Sequence, residues 1–190
     1  MIKNLFLTGM PGLGKSTFLI NSLQDVLPKA RGYRTVRVKT GGGKCIGFMH
    51  VRPDFDGGVD TASEISSDKL FLNVTEGRHF NKEVFCDYVV TELEGALREG
   101  ASFLLMDEIG GKELSEEAIC DVYRRVFDSS LPCIGVIKHG MNAKHFDYDS
   151  YLKFMEELES RPDTAIVEFS RDNPAPAEEL LRKWREDNGV

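Results

Sequence analysis

The sequence predicts an α/β fold in which a mostly parallel β-sheet is flanked by helices. Short apolar runs alternate with longer amphipathic stretches along the 190 residues, which is the pattern of strands and helices in such folds. Residues 103–106 form a continuous apolar run, as expected for a strand buried on both faces of a parallel sheet. No repeat or linker-like segment divides the sequence, so a single domain is expected over residues 1–190.

The first three predicted elements form a strand–helix–strand unit. Residues 2–7 are an apolar run, which predicts the first strand. Residues 15–27 carry apolar side chains at three- to four-residue spacing and are followed by Pro28, which predicts a helix and its end. Residues 33–39 place valines at alternate positions, which predicts a second strand.

The middle of the chain has a different pattern. Around residues 40–88, glycine clusters separate short β-like pieces at residues 46–51 and 69–74. This pattern predicts a β-hairpin excursion from the main sheet.

Strands and helices alternate again after this excursion. Ser115 is predicted to cap the second of the later helices. The predicted helices cover residues 89–99, 115–127, 148–158 and 177–186. The strands between them are predicted at residues 102–106, 133–137 and 164–169.

Composition argues against several classes of protein. The net charge is −7, and no basic patch of the kind that binds nucleic acid is present. No apolar stretch approaches the roughly 20 residues of a membrane helix, and no secretory leader is recognisable at the first residues. The cysteines lack Cys-x-x-Cys spacing and are expected to be reduced thiols, which favours the cytoplasm; they are Cys45, Cys86, Cys120 and Cys133.

The clearest motif is a phosphate-binding loop between the first strand and the first helix. It fits the pattern of glycine, any four residues, then Gly-Lys-Ser/Thr, and reads Gly9, Met10, Pro11, Gly12, Leu13, Gly14, Lys15 and Ser16, followed by Thr17. Glycines let main-chain N–H groups turn toward a phosphate, and the helix N-terminus adds positive charge. Lys15 is predicted to contact the β- and γ-phosphates, and Ser16 to bind Mg²⁺.

Two acids after residues 103–106 complete the predicted site. Asp107 is predicted to hold Mg²⁺ through water from the tip of a neighbouring strand, and Glu108 to orient or deprotonate the attacking water. The spacing from Asp107 to Gly110 also fits the Asp-x-x-Gly element of switch GTPases. Those proteins read guanine with a later Asn-Lys-x-Asp motif, whereas the only Asn-Lys pair here precedes Asp107 and lacks the aspartate. A guanine-specific switch is therefore disfavoured.

These motifs together resemble the nucleoside-triphosphatase family that includes the human cancer-related NTPase and its archaeal and bacterial relatives. Besides the loop and Asp107-Glu108-Ile109-Gly110, the likeness extends to Glu113-Leu114, to the hairpin Lys44-Cys45-Ile46-Gly47-Phe48, and to residues 170–173. The resemblance implies a P-loop NTPase fold and slow, Mg²⁺-dependent hydrolysis of several NTPs, ATP and GTP among them.

The sequence departs from that family at three cationic positions. Gly111 takes the place of the lysine after Asp-Glu-Ile-Gly, Cys45 that of the hairpin arginine, and Pro174 that of a C-terminal arginine. Lys112 and Lys44 are the candidates for a partial substitute.

Other polar and aromatic residues are weaker candidates. Lys138-His139 follows a predicted strand and could sense the γ-phosphate, with a solvent-facing loop as the equal alternative. Arg124-Arg125 could supply a transition-state cation, but a solvated helix face is favoured. The remaining histidines are expected to be packing or surface residues, and the middle aromatics to form a small core; these are His50, His79 and His145, and Phe48, Phe55, Phe71 and Phe80.

The expected function is hydrolysis of NTPs to NDP and phosphate with loose base specificity. Two alternatives on the same fold remain open. One is a nucleotide or small-molecule kinase whose acceptor binds in the 40–88 excursion. The other is a nucleotide-dependent binding or assembly module, whose protein partner the sequence does not identify.

Overall fold

The computed structural model describes residues 1–57, 60–62, 67–75, 77–143 and 147–190. The strands are β1 (Asn4–Thr8), β2 (Ala30–Lys39), β3 (Cys45–Val51), β4 (Asp60–Ala62), β5 (Leu72–Asn73), β6 (His79–Phe80), β7 (Phe103–Ile109), β8 (Cys133–Ile137) and β9 (Thr164–Glu168). The helices are α1 (Lys15–Ser22), α2 (Lys82–Glu99), α3 (Glu117–Asp128), α4 (Gly140–Ala143), α5 (Tyr148–Glu159) and α6 (Ala175–Asn188).

The centre of the molecule is a parallel sheet of five strands in the order β2-β7-β8-β1-β9. This confirms the predicted α/β class. The strand that carries Asp107 is not a direct neighbour of the loop strand, however, because β8 pairs with both β1 and β7 and separates them. The sequence expectation of adjacent strands was wrong on this point, since strand order depends on pairings that local pattern does not encode.

The predicted excursion is an antiparallel extension of this sheet. The outer half of β2 pairs with β3, β3 with β5, and β5 with β6, all antiparallel, while β4 runs parallel to β2. Helix α2 begins at Lys82 rather than at residue 89, because the side chain of Asn81 accepts a hydrogen bond from the Val84 N–H (3.2 Å) and caps it. The extension therefore ends near residue 80.

Two other predicted helix ends differ from the structure. Helix α1 ends at Ser22, and a separate 3₁₀ turn covers Leu27–Lys29. Ser115 is not a helix cap: its hydroxyl donates to Asp147 (3.1 Å), and α3 starts after a 3₁₀ turn at Lys112–Ser115. Asp147 caps α5 instead, by accepting from the Ser150 N–H at 3.1 Å.

The sheet is covered on both faces. Phe103 and Leu105 of β7 face the core formed with α1 and α6, whereas Leu104 and Met106 face the core formed with α2, α3 and α5. Trp184 of α6 is fully buried, and its indole N–H donates to the Lys3 carbonyl at 2.8 Å. No helix in the described part of the chain is long and apolar enough to cross a membrane.

Candidate functional site

A cleft of about 630 Å³ opens where the parallel strands end at their carboxyl termini, the edge at which open α/β sheets bind ligands. The predicted loop forms one wall of the cleft through Gly9, Pro11, Gly12, Gly14, Lys15, Ser16 and Thr17. The other lining residues are Thr35, Arg37, Phe48, Arg78, Glu108, Val136, Lys138, His139 and Arg171. Most of these were not expected from the sequence.

The backbone of the phosphate-binding loop adopts the positive φ angles that its glycines predict. Gly9, Gly12 and Gly14 adopt φ of 129°, 79° and 90°, which side-chain-bearing residues rarely adopt. At Gly9 space is also tight, because a Cβ would lie 3.0 Å from the Phe169 carbonyl oxygen. These conformations turn the main chain from the end of β1 into α1, whose N-terminus faces the cleft.

Lys15 folds back over this loop. Its ammonium donates to the carbonyl oxygens of Gly9 (2.7 Å) and Met10 (2.8 Å). Partial burial lowers the pKa of Lys15, and the charges of Glu108 and Asp107 oppose that shift. The lysine is therefore held at the mouth of the loop with both acids within electrostatic reach.

Ser16 and Asp107 join the loop to β7. The Ser16 hydroxyl donates to Asp107 Oδ1 at 2.7 Å, across 91 residues of sequence. The other carboxylate oxygen accepts from the Thr35 N–H (3.2 Å), and the Thr35 hydroxyl donates to the Asp107 carbonyl (3.3 Å). Thr35 was not predicted from the sequence because it contacts Asp107 from β2, which pairs with β7 on the side away from β8.

Asp107 is only 3% exposed. Burial and the nearby charge of Glu108 raise the pKa of Asp107 to about 7, while the bonds from Ser16 and Thr35 lower it in part. A hydroxyl and a carboxylate are the hard oxygen donors that Mg²⁺ prefers, and Mg²⁺ bound with a nucleotide typically uses one or two protein oxygens. Ser16 and Asp107 fit that requirement.

Glu108 lies on a β-bulge. The pairing of β7 with β8 runs from Met106↔Gly135 to Ile109↔Ile137, so β7 has one residue more than β8 across this interval. Glu108 has φ of 68°, the only positive value at a non-glycine residue within the described ranges. Bulges next to active sites redirect a side chain, and strained backbone there is a mark of function. Here the bulge places Glu108 on the cleft wall.

Neighbouring bonds hold the bulge in place. Glu113 Oε1 accepts from the N–H groups of Gly110 (2.7 Å) and Gly111 (2.8 Å), and the Lys138 N–H donates to the Ile109 carbonyl at 2.7 Å. The Glu113 side chain is buried. Glu113, noted in the sequence only as part of a resemblance, thus fixes the turn after Glu108.

The cleft is lined with cations although the whole protein is acidic. Lys15, Arg37, Arg78, Lys138 and Arg171 all line it. Arg171 donates to the loop carbonyls of Gly12 (2.9 Å) and Leu13 (3.3 Å) and so holds the loop from its outer side. Such a concentration of positive charge suits a polyphosphate.

Several weaker candidates lie elsewhere. Arg124 and Arg125 bind the surface carboxylates of Glu157 and Glu94. His50 is buried among aromatic rings, and burial lowers its pKa to about 3. His79 is exposed in β6, Phe71 belongs to the core and Phe80 packs against it, and His145 lies outside the described residues.

Lys138-His139 and Phe48, by contrast, line the cleft. Lys44 and Lys112 are exposed and are not among the described residues that line it. Pro174 is the N-cap of α6.

The chain is similar to known proteins along most of its length. The family model described as NTPase matches residues 4–182. The nucleoside-triphosphatase THEP1 of Thermotoga petrophila is 31% identical over 170 residues, which cover 89% of this chain and 85% of the relative. THEP1 of Natranaerobius thermophilus is 24% identical over 188 residues, 97% of each chain.

A solved structure has the same fold. The crystal structure of THEP1 from the hyperthermophile Aquifex aeolicus superposes with a TM-score of 0.64 at 21% identity, covering 95% of this chain and 98% of that chain. The P-loop α/β architecture read from the sequence is thereby confirmed. With the family model spanning the loop, the two acids and the cleft between them, the chain belongs to the NTPase family.

Proposed function

We propose that this protein is a Mg²⁺-dependent nucleoside triphosphatase that releases phosphate from ATP, GTP and other NTPs. The observation that carries the proposal is the 2.7 Å bond from Ser16 to Asp107. It unites the phosphate loop with the acid strand in one cleft, where Lys15 and Glu108 also lie. The relatives named nucleoside-triphosphatase support the same activity.

Each residue has a defined role in this proposal. The loop N–H groups and Lys15 bind the β- and γ-phosphates. Ser16 and Asp107 hold Mg²⁺, which when bound would neutralise charge on the phosphate oxygens. Glu108 accepts a hydrogen bond from the attacking water and takes its proton as the water oxygen bonds to phosphorus and the bond to the leaving NDP oxygen breaks.

Base selectivity is expected to be loose. The sequence has no Asn-Lys-x-Asp motif after Asp107 that would read guanine, and Asn81, the one Asn before a Lys, caps α2. The free cysteines favour a cytoplasmic location.

Phosphate release tests the proposal. Purified protein is incubated with Mg²⁺ and each common NTP without any acceptor, and Lys15→Ala serves as the control. Release from several NTPs that is lost in the variant supports the NTPase. Tight binding of NTP without release contradicts it.

A kinase is the second candidate, and one observation favours it. The 40–88 excursion supplies Phe48 and Arg78 to the cleft, and β2 supplies Arg37 beside them, so an anionic acceptor could bind there. NDP formation that begins only when an acceptor is added would support the kinase.

A further inference from the structure

The side-chain ammonium of Lys138, the residue that directly follows β8, lies beside Gly111. A Cβ built on Gly111 would lie 2.5 Å from Lys138 Nζ and 2.7 Å from Glu113 Oε2. The Lys138 ammonium and the Glu113 carboxylate thus both lie beside the point that the Cβ of any larger residue at 111 would fill. Because Gly111 has no side chain, the ammonium of Lys138 can occupy that point beside the turn that follows Glu108.

The main chain of Lys138 is fixed on both sides. Its N–H donates to the Ile109 carbonyl at 2.7 Å, and its own carbonyl accepts from the Tyr151 hydroxyl at 3.0 Å. Lys138 directly follows β8, which lies between the loop strand β1 and the acid strand β7. The side chain therefore starts from a fixed point between Lys15 and Glu108, and it lines the cleft with them.

We propose that Lys138 contacts the terminal phosphate of a bound nucleoside triphosphate, and that Gly111 and Glu113 are positioning residues for its ammonium. The proposal deepens the function proposed above and rests on it. Lysine suits this position because its flexible stem lets the ammonium move from Glu113 to a phosphate oxygen. The ammonium of Lys138 stabilises the charge on the phosphoryl oxygens while water attacks.

The same geometry explains why the exposed Lys112 does not contact the terminal phosphate. Lys112 precedes Glu113 in the 3₁₀ turn, but its side chain is exposed and it is not among the described cleft residues. Lys138 reaches the cleft from β8 instead. Any gain of a side chain at 111 should therefore act through Lys138, not through Lys112.

Binding measurements test the contact without depending on turnover. We expect Lys138→Met to weaken a non-hydrolysable triphosphate analogue about 10- to 100-fold and to leave NDP affinity within about threefold, as for loss of one charged contact. Lys112→Met is the matched control and should change neither affinity. An unchanged preference for triphosphate over diphosphate in Lys138→Met would overturn the proposal.

Gly111→Ala tests the positioning. Gly111 has φ of −115°, which alanine tolerates. The atoms nearest its added Cβ belong to side chains and not to backbone, and the nearer of them is the Lys138 ammonium on its flexible stem, so the variant should fold. We expect Gly111→Ala to lower kcat at least about tenfold with a smaller change in KM, and to add little in a Lys138→Met background. Gly41→Ala is the control because its Cβ meets nothing within 4 Å.

The two proposals fail in different ways. If wild-type protein releases no phosphate but Lys138→Met loses its preference for triphosphate, the NTPase is wrong and the Lys138 contact stands. The opposite outcome is that the wild-type protein releases phosphate in a Lys15-dependent way while the Lys138 and Gly111 variants have wild-type kcat and affinity. In that case the NTPase stands and only the Lys138 contact is wrong. Fully additive losses in the double variant would refute the positioning role of Gly111.

Discussion

Asp107→Asn should stabilise the protein at neutral and alkaline pH. Burial raises the pKa of Asp107 to about 7 in the folded chain, whereas an unfolded aspartate ionises near 3.8. Between these values the folded state holds a proton that the unfolded state has released, so the free energy of unfolding falls as pH rises. Below about pH 4 the Asp107 carboxyl is protonated in both states and does not lower the free energy of unfolding. Well above pH 7 it is ionised in both states, and the free energy of unfolding has fallen by the full amount.

The shift sets the size of the effect. The difference between about 7 and 3.8 corresponds, at about 1.36 kcal/mol for each pH unit, to an upper limit of about 4 kcal/mol. Asparagine cannot ionise, and its carbonyl can still accept the Ser16 hydrogen bond, but its NH2 group cannot accept from the Thr35 N–H. We therefore expect Asp107→Asn to be about 1 kcal/mol less stable than wild type near pH 4, where only the Thr35 bond is lost, and to exceed its free energy of unfolding by about 1–3 kcal/mol at pH 8.

Denaturant unfolding across pH 4–8 in the presence of a chelator measures this difference. Asp87→Asn, at an exposed position of α2, is the control and should follow the wild-type curve. Parallel curves for Asp107→Asn and wild type at every pH, or a less stable variant at pH 8, would show that burial does not raise the pKa of this carboxyl group.

Three further substitutions test the backbone and packing contacts around the site and its sheet. Gly135→Ala would push a Cβ into the Met106 carbonyl at the bulge, and we expect a loss of about 2–4 kcal/mol in chemical denaturation; wild-type stability would argue against the close approach of β8. Trp184→Phe removes the bond to the Lys3 carbonyl and should cost about 1–3 kcal/mol in the same assay. Gly9→Ala meets both a strained φ and the Phe169 carbonyl, so nucleotide affinity measured by calorimetry should fall at least about tenfold; unchanged affinity would contradict the geometry of the loop.

Local sequence was sufficient for the parts of the site that are contiguous. The loop from Gly9 to Thr17 and the pair Asp107-Glu108 follow from spacing, because glycine conformation and strand-end position are local properties. The mostly parallel sheet followed from alternation of apolar runs in the same way. Strand β8 was predicted with the bounds that the structure has.

Contacts between distant strands could not be predicted. The insertion of β8 between β1 and β7 brings Lys138 to the cleft, and the pairing of β2 with β7 brings Thr35 to Asp107. The bulge at Glu108 depends on register, which one strand alone does not specify. A recognisable signal for this region was the run of glycines at 110 and 111 after the acids, which marks close approach of other chain segments.

Hydrolysis in the proposed site depends on Glu108 as the base for the attacking water, and Glu108→Gln removes that base alone. The amide keeps the size of the side chain but cannot take a proton from water. We expect single-turnover hydrolysis of Mg²⁺–ATP to fall about 10²- to 10⁴-fold while ATP affinity, measured beside Lys15→Ala as the binding-deficient control, stays within about threefold of wild type. Hydrolysis by Glu108→Gln at the wild-type rate would show that Glu108 is not the base.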